Sequence, residues 1–305
     1  MKRGMGLLVL ATILWGGNYI CGRYLSEAMP STLLNTTRWG ISTLILIGLL
    51  YLNKKKLPIV TMWREFSILG FTGVFAFSTL TYMALGNISV SQAGMISSGI
   101  PISILLFTPF ILKEKISVKS WLGAGISIFG VIVLFLGKSG GAALDGSLLG
   151  NVQVVLACLS WGIYTVLGKR YGKKHDSLTL TAGAALYGTI FSAISCIGTV
   201  EPSMVSMTGT AWISLVYVST LASVGAFLAW NAGVKILGAS QAAPYLNLLP
   251  VWTVLFGILL LKEQVSFVSW LGGFITILGA LIASVDKELI ASLLHRKIAK
   301  DTQML

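Results

Sequence analysis

The chain has 305 residues, 55% of them hydrophobic and only 10% charged, with a mean hydropathy of +0.85. Soluble domains carry about 25% charged residues, so this chain cannot dress a globular surface for water and reads as an integral membrane protein. A formal charge of +12 invites a nucleic-acid partner, and the placement of the basic residues excludes one.

Ten apolar runs are expected to be membrane helices: Met5–Leu25, Ser31–Leu52, Phe66–Leu85, Ser91–Leu112, Ser120–Leu136, Gly150–Gly168, Ser177–Gly198, Ala211–Asn231, Ala239–Leu261 and Val268–Val285. Each is about 20 residues, the length a helix needs to cross roughly 30 Å of hydrocarbon. They are apolar all round, whereas barrel strands alternate, so the expected fold is an all-α membrane protein of ten transmembrane helices. The first run follows Lys2 and Arg3 as a signal peptide would, but no small-residue cleavage box follows, and the run is expected to be retained. It carries Trp15, Asn18 and Tyr19. The second carries Arg38, about eight residues from its outer end, which is roughly 12 Å of depth. Tyr82 lies in the third run, and Gln92, Ser97, Ser98 and Pro101 in the fourth. The sixth holds Trp161 and Tyr164, the eighth Trp230 and Asn231, the ninth Gln241, Tyr245, Asn247 and Pro250. Trp230 and Tyr24, near run ends, read as interface anchors. After Asp286, Leu289, Ile290, Leu293, Leu294 and Ile298 share one helical face, the pattern of an amphipathic helix on the inner leaflet.

With the termini inside, 18 of the 22 basic residues fall in the inner loops and tail; Arg23, Lys138 and Lys262 fall outside, and Arg38 within a span. This positive-inside bias makes both termini cytoplasmic and assigns the basic charge to topology and anionic lipid.

"LKEKISVKSWLG" (112–123) returns 149 residues later as "LKEQVSFVSWLG" (261–272), and laying 91–130 on 240–279 gives 17 identities in 40 positions. A weaker echo 146 residues apart joins Trp15-Gly16 to Trp161-Gly162 and Gly22 to Gly168. Five spans form one unit, and an odd unit leaves the chain on the opposite side, so the second copy is inserted upside down. Residues 1–145 are the first five-helix repeat, 146–286 the second, inverted one, and 287–305 a cytoplasmic tail. Lys113 should face the cytoplasm and Lys262 the outside. Inverted repeats are a construction of secondary transporters, with the site near the midplane. Pro101 and Pro250, at matching depth, are expected to kink their helices there.

The span-turn-span unit 91–130 and its second copy, with Trp15-Gly16 and Pro30 followed by Arg38, resemble the EamA family of the drug/metabolite transporter superfamily. The resemblance covers essentially the whole chain. It implies a ten-helix carrier of the cell membrane that exports amino acids, related metabolites or toxic compounds. The second copy has no arginine matching Arg38.

Polar residues in hydrocarbon tend to face a bundle interior or a cavity. Trp15, Asn18, Tyr82, Trp161, Asn231, Tyr245 and Asn247 are the expected lining of a central substrate cavity, with Arg38 as an anion contact in the outer vestibule. Interhelical hydrogen bonding is the plainer role for the same residues. All ten acidic residues fall in loops, at span ends or in the tail, so no buried carboxylate is placed to relay protons, which favours facilitated flux or exchange. Cys21, Cys158 and Cys196 have no C-x-x-C spacing, and His175 and His295 lie in a loop and the tail, so neither a metal nor a cofactor is expected. No Walker A sequence is present for ATP drive. An intramembrane enzyme would need clustered His, Asp, Cys or Ser–Lys groups at depth, which the spans do not offer. A non-transporting membrane scaffold is the remaining rival, and it leaves the inverted repeat without a purpose.

Overall fold

In hydrocarbon each backbone amide must find its partner within the protein, which restricts an apolar chain of this kind to helices. The computed structural model describes residues 2–85, 87, 96–136, 148–198, 200, 204–261 and 266–284, and among them there is no strand. The helices are α1 (Lys2–Ala28), α2 (Ser31–Leu52), α3 (Trp63–Leu69), α4 (Phe77–Leu85), α5 (Ile100–Leu112), α6 (Val118–Leu136), α7 (Leu148–Gly172), α8 (Ser177–Cys196), α9 (Gly209–Tyr217), α10 (Ala226–Leu237), α11 (Ala239–Ala242), α12 (Leu248–Leu261) and α13 (Phe267–Ser284). A π-helical segment, Gly70–Ala76, joins α3 to α4, and another, Val218–Gly225, joins α9 to α10. Among the described residues six helical runs are long and apolar enough to cross a membrane, and shorter apolar helices cover Ile100–Leu112, Val118–Leu134 and Trp270–Ala283. Leu44, Phe110, Ile213 and Leu259 lie open on the outside; on a soluble monomer they would be a liability, and against acyl chains they are the matched surface.

Local chemistry sets the ends. The residue before a proline is disfavoured in helical conformation, so α1 stops ahead of Met29, and Pro30 stands at the N-cap of α2. Lys113 takes a left-handed φ of 57° and closes α5. Ser117 Oγ accepts from Ser120 N at 3.1 Å and caps α6, as its position in the turn suggests. Asp176 caps α8, accepting from Thr179 N at 3.3 Å and Thr179 Oγ1 at 2.9 Å, with Lys55 Nζ 3.1 Å away. Partial burial pushes this carboxyl up, but the hydrogen bonds from Thr179 and Lys55 outweigh that and hold it below its ordinary value. A carboxyl so lowered stabilises the fold above its ordinary pKa, and the contribution is lost as pH falls through the lowered value. Asp176→Ala should therefore cost about 1 kcal/mol at neutral pH, read as a melting temperature some 2–4 °C lower in detergent. The deficit should shrink in acid.

The π segments widen the helix and leave carbonyls for neighbours to satisfy. In Gly70–Ala76, Thr72 O accepts from Ser160 Oγ at 2.9 Å and Val74 O from Asn35 Nδ2 at 3.4 Å. In Val218–Gly225, Ser219 O accepts from Ser42 Oγ at 2.7 Å and Ala222 O from Trp15 Nε1 at 2.9 Å. Each donor sits on another helix, so the widened turns are where the spans are tied together. Pro101 stands in the first turn of α5, behind a turn at Ser98–Gly99, and Pro250 is the third residue of α12, behind the 3₁₀ turn Ala243–Asn247. The interruption thus lies just ahead of each proline rather than at it, because proline lacks an N–H and fits a helix's first turn.

Helices α6 and α13 run antiparallel at backbone contact. A Cβ built on Gly123 would stand 2.7 Å from the Gly279 carbonyl, and one on Gly279 2.7 Å from the Gly123 carbonyl. Gly130 and Gly272 are related the same way, at 2.8 and 2.7 Å. Between them Ser127 Oγ donates to Thr276 O at 3.3 Å. Helices α2 and α8 are also antiparallel: Thr36 Oγ1 lies 3.2 Å from Cys196 Sγ, and Thr43 Oγ1 3.2 Å from Thr189 Oγ1.

Candidate functional site

The centre of the molecule is a cluster of rings. Trp15 of α1 lies edge-on to Trp161 of α7, centroids 5.3 Å apart, and touches Phe227 and Trp230 of α10 at 5.6 Å each. Trp161 further contacts Phe77 at 4.7 Å, Tyr164 at 5.1 Å and Phe227 at 5.4 Å. Trp39 of α2 closes on Phe227 at 4.7 Å. Edge-to-face pairs of this kind add to the area they bury. Trp161 and Trp230 are fully enclosed, so the expectation of Trp230 as an interface anchor is overturned: α10 continues to Leu237, which carries Trp230 away from the span end.

Toward the side where α7 ends and α8 begins, the cluster is sealed. Asn231 Nδ2 donates to Tyr164 Oη at 2.8 Å and to Thr181 Oγ1 at 2.9 Å. Further out, Lys169 Nζ donates to Lys235 O at 2.7 Å, and Lys235 Nζ to His175 O at 3.1 Å.

On the other side stands Arg38, only 5% exposed. Its Nε donates to Ser223 Oγ at 2.6 Å and its NH1 to Tyr82 Oη at 3.3 Å. Both partners are neutral hydroxyls, and a guanidinium has five N–H donors. Among the described residues the ion pairs are Lys55–Asp176 and Lys173–Glu114, both away from this group. Arg38, the expected anion contact, is enclosed between α2, α4 and the second π segment, where Ser223 holds its Nε.

Of the expected lining residues, the structure gathers Trp15 and Trp161 in the ring cluster, puts Asn231 in the seal beside it and sets Tyr82 on Arg38. Asn18 follows Trp15 by three residues, hence on the same face of α1, and its buried Oδ1 has no partner among the described residues. Tyr245 and Asn247 are enclosed in the 3₁₀ turn ahead of α12. Gln92 and the turn at Lys262-Glu263 lie outside the described residues, as does the tail. Sequence reading missed Trp39, Phe227, Ser223 and Thr181. Only Thr181 carried a signal, since it stands 146 positions from Asn35. Buried donors without a partner among the described residues include the indole N–H groups Trp39 Nε1, Trp161 Nε1 and Trp230 Nε1 in the ring cluster, together with Asn247 Nδ2 and the hydroxyls of Thr165 and Ser219, and Asn18 Oδ1 and Asn35 Oδ1 are unpartnered acceptors. Each orphan costs about 1–3 kcal/mol unless water or a ligand satisfies it, and this concentration marks the ring cluster as the candidate binding site.

The family model of EamA-like transporters matches residues 2–136 and 148–285. The chain belongs to the EamA-like transporter family. This EamA-like chain is similar to the Bacillus subtilis (strain 168) uncharacterized transporter YetK, 26% identical over 297 residues, 94% of this chain and 89% of the relative. An uncharacterized transporter of Archaeoglobus fulgidus is 25% identical over 283 residues, 92% of this chain and 97% of the relative. One solved crystal structure shares the fold, with a TM-score of 0.79 at 21% identity over 98% of this chain and 99% of that one. Family and relatives are those of transporters rather than enzymes, and the EamA-like chain is a multi-pass membrane protein.

Proposed function

We propose that the protein is a secondary transporter that exports amino acids or related small metabolites across the cell membrane by alternating access. Its ten spans form two five-helix halves, residues 1–145 and 146–286, inserted in opposite orientations with both termini in the cytoplasm. One observation carries this reading. Residues one repeat apart meet each other midway along their helices: Trp15 with Trp161, Thr43 with Thr189, and Ser127 with Thr276. Equivalent helices meet antiparallel at the last two pairs, which is what a two-fold axis lying in the membrane plane produces; an axis along the membrane normal would leave them parallel. The two π segments also match at a spacing of 149, Gly70 against Ser219 and Ala76 against Gly225. The substrate lies between the halves, at Trp15, Asn18, Tyr82, Trp161, Asn231, Tyr245 and Asn247, with Arg38 as the anion contact. Export of drugs or other toxic compounds is the second reading, favoured by the ring cluster's large apolar area.

Single cysteines placed at Lys113 and Lys262 in cells should react with impermeant maleimide from opposite compartments, Lys113 only from inside. Reagent reaching both from one side would defeat the inverted arrangement. Transport itself is tested by efflux from proteoliposomes loaded with amino acids and related metabolites. The result expected is flux of one class only, abolished by Trp161→Ala.

A further inference from the structure

Resting on the transporter reading, the two halves can be compared position by position. The inner seal is Tyr164, Asn231 and Thr181. Subtracting the repeat spacings of 146 for α7 and α8 and 149 for α10 gives Asn18, Tyr82 and Asn35 in the first half. Each trio holds a phenol and an amide with the two exchanged between the halves, and the third position is the Thr181 hydroxyl in one half and the Asn35 amide in the other. Yet the seal is made on one side only. α7 and α10 pack against each other, whereas α1 and α4 have no comparable contact among the described residues. Asn18 Oδ1 and Asn35 Oδ1 are both buried without a partner among the described residues, while Tyr82 Oη is held by Arg38 NH1. Arg38 itself has no equivalent, since Ala184 stands at its position in α8.

Arg38 has two hydroxyls and the face of the Trp39 ring, 5.3 Å from its guanidinium carbon, for partners, and no carboxylate among the described residues. A buried guanidinium without a counter-ion is expensive, and its natural complement is a bidentate oxyanion. The unpartnered Trp39 Nε1 beside Arg38 is also a donor, and the ring packed on Trp39, that of Phe227, is apolar. We propose that Arg38 anchors the substrate's carboxylate, and that this exchange releases the Tyr82 side chain, whose oxygen now accepts from Arg38 NH1, to swing toward α1, donate its O–H to Asn18 Oδ1 and close the outer half. Arg38 is thus a substrate contact present in one half alone, and Asn18, Tyr82 and Asn35 are the outer counterpart of the Tyr164–Asn231–Thr181 seal. The ligand class is a carboxylate bearing an apolar group.

The test uses the full chain in proteoliposomes with amino acids, their neutral carboxamides and inorganic phosphate as probes. Acids should be carried and amides and phosphate not. Arg38→Gln should raise KM at least tenfold with a smaller change in kcat, and Arg38→Lys should recover part of the loss. In a background without native cysteines, the pair Tyr164→Cys/Asn231→Cys should cross-link without substrate. The pair Asn18→Cys/Tyr82→Cys should cross-link when a carried acid is added, or without it once Arg38→Gln is introduced. Amides carried as well as acids, phosphate carried in their place, or an unchanged KM in Arg38→Gln would overturn the anchor and leave transport standing. Acids carried with the 18/82 pair never closing would overturn the latch. Should Arg38→Gln fail to fold, the acid-against-amide comparison in the unaltered chain decides the anchor. Absence of flux for every probe strikes the transporter reading, and this proposal with it.

Discussion

Gly130→Leu is expected to remove folded, monodisperse protein from detergent extracts, or to lower its melting temperature by more than about 10 °C. At this position a Cβ would press on the Gly272 carbonyl at 2.8 Å and on the backbone N–H of Thr276. Overpacking against side chains costs about 1–3 kcal/mol because they can give way. Here two of the three nearest atoms are backbone of α13 and the third is the short Thr276 hydroxyl, so the two spans must separate and give up their close contact. That places the cost above about 4 kcal/mol, in the exceptional class. Gly125→Leu in the same helix is the control, because its Cβ would meet nothing within 4 Å. Fluorescence-detected gel filtration and thermal melts of the two variants decide the matter; equal behaviour would mean that α6 and α13 are not at backbone contact.

Trp161→Ala should lose both stability and transport. Its ring touches those of Trp15, Phe77, Tyr164, Phe227 and Trp230, and its side chain is 2% exposed. Deleting a buried ring of this size costs about 3–5 kcal/mol. Trp161→Phe separates packing from recognition. It keeps most of the ring area and removes a buried N–H that has no partner among the described residues, so the melting temperature should hold or rise. If that N–H meets the substrate, transport should fall about tenfold, one hydrogen bond being worth roughly 1.4 kcal/mol. Unchanged flux in Trp161→Phe would take the indole N–H out of the binding site while leaving the ring in it.

The repeat was legible because it is an identity of sequence, and it needs no knowledge of how helices face one another. The same spacing of 149 pairs Tyr82 with Asn231, and Gly123 and Ser127 with Gly272 and Thr276; the last four lie where α6 and α13 meet at backbone contact. The ring cluster was not legible. In a soluble helix the polar face reveals the buried one, but spans apolar on every side give no such contrast, so Trp39 and Phe227 look the same as lipid-facing Phe110. The π segments were equally silent, since nothing in "GFTGVFA" (70–76) separates a widened turn from an ordinary one. Trp230 was misplaced by a span boundary drawn at Asn231, six residues short of the end of α10. The enclosure of Arg38 was hidden as well, because it depends on Ser223, 185 positions away.

The glycine-lined meeting of α6 and α13 bears on how the protein can move. Interlocked side chains resist rotation like the teeth of a gear, and smooth backbone faces do not. Under the proposed alternating access, this edge is the natural fulcrum, since among the described residues neither α6 nor α13 contributes a ring to the central cluster. A slight roll there is magnified at the far end of the lever, where Arg38 and Asn231 lie on opposite sides of the same tryptophans.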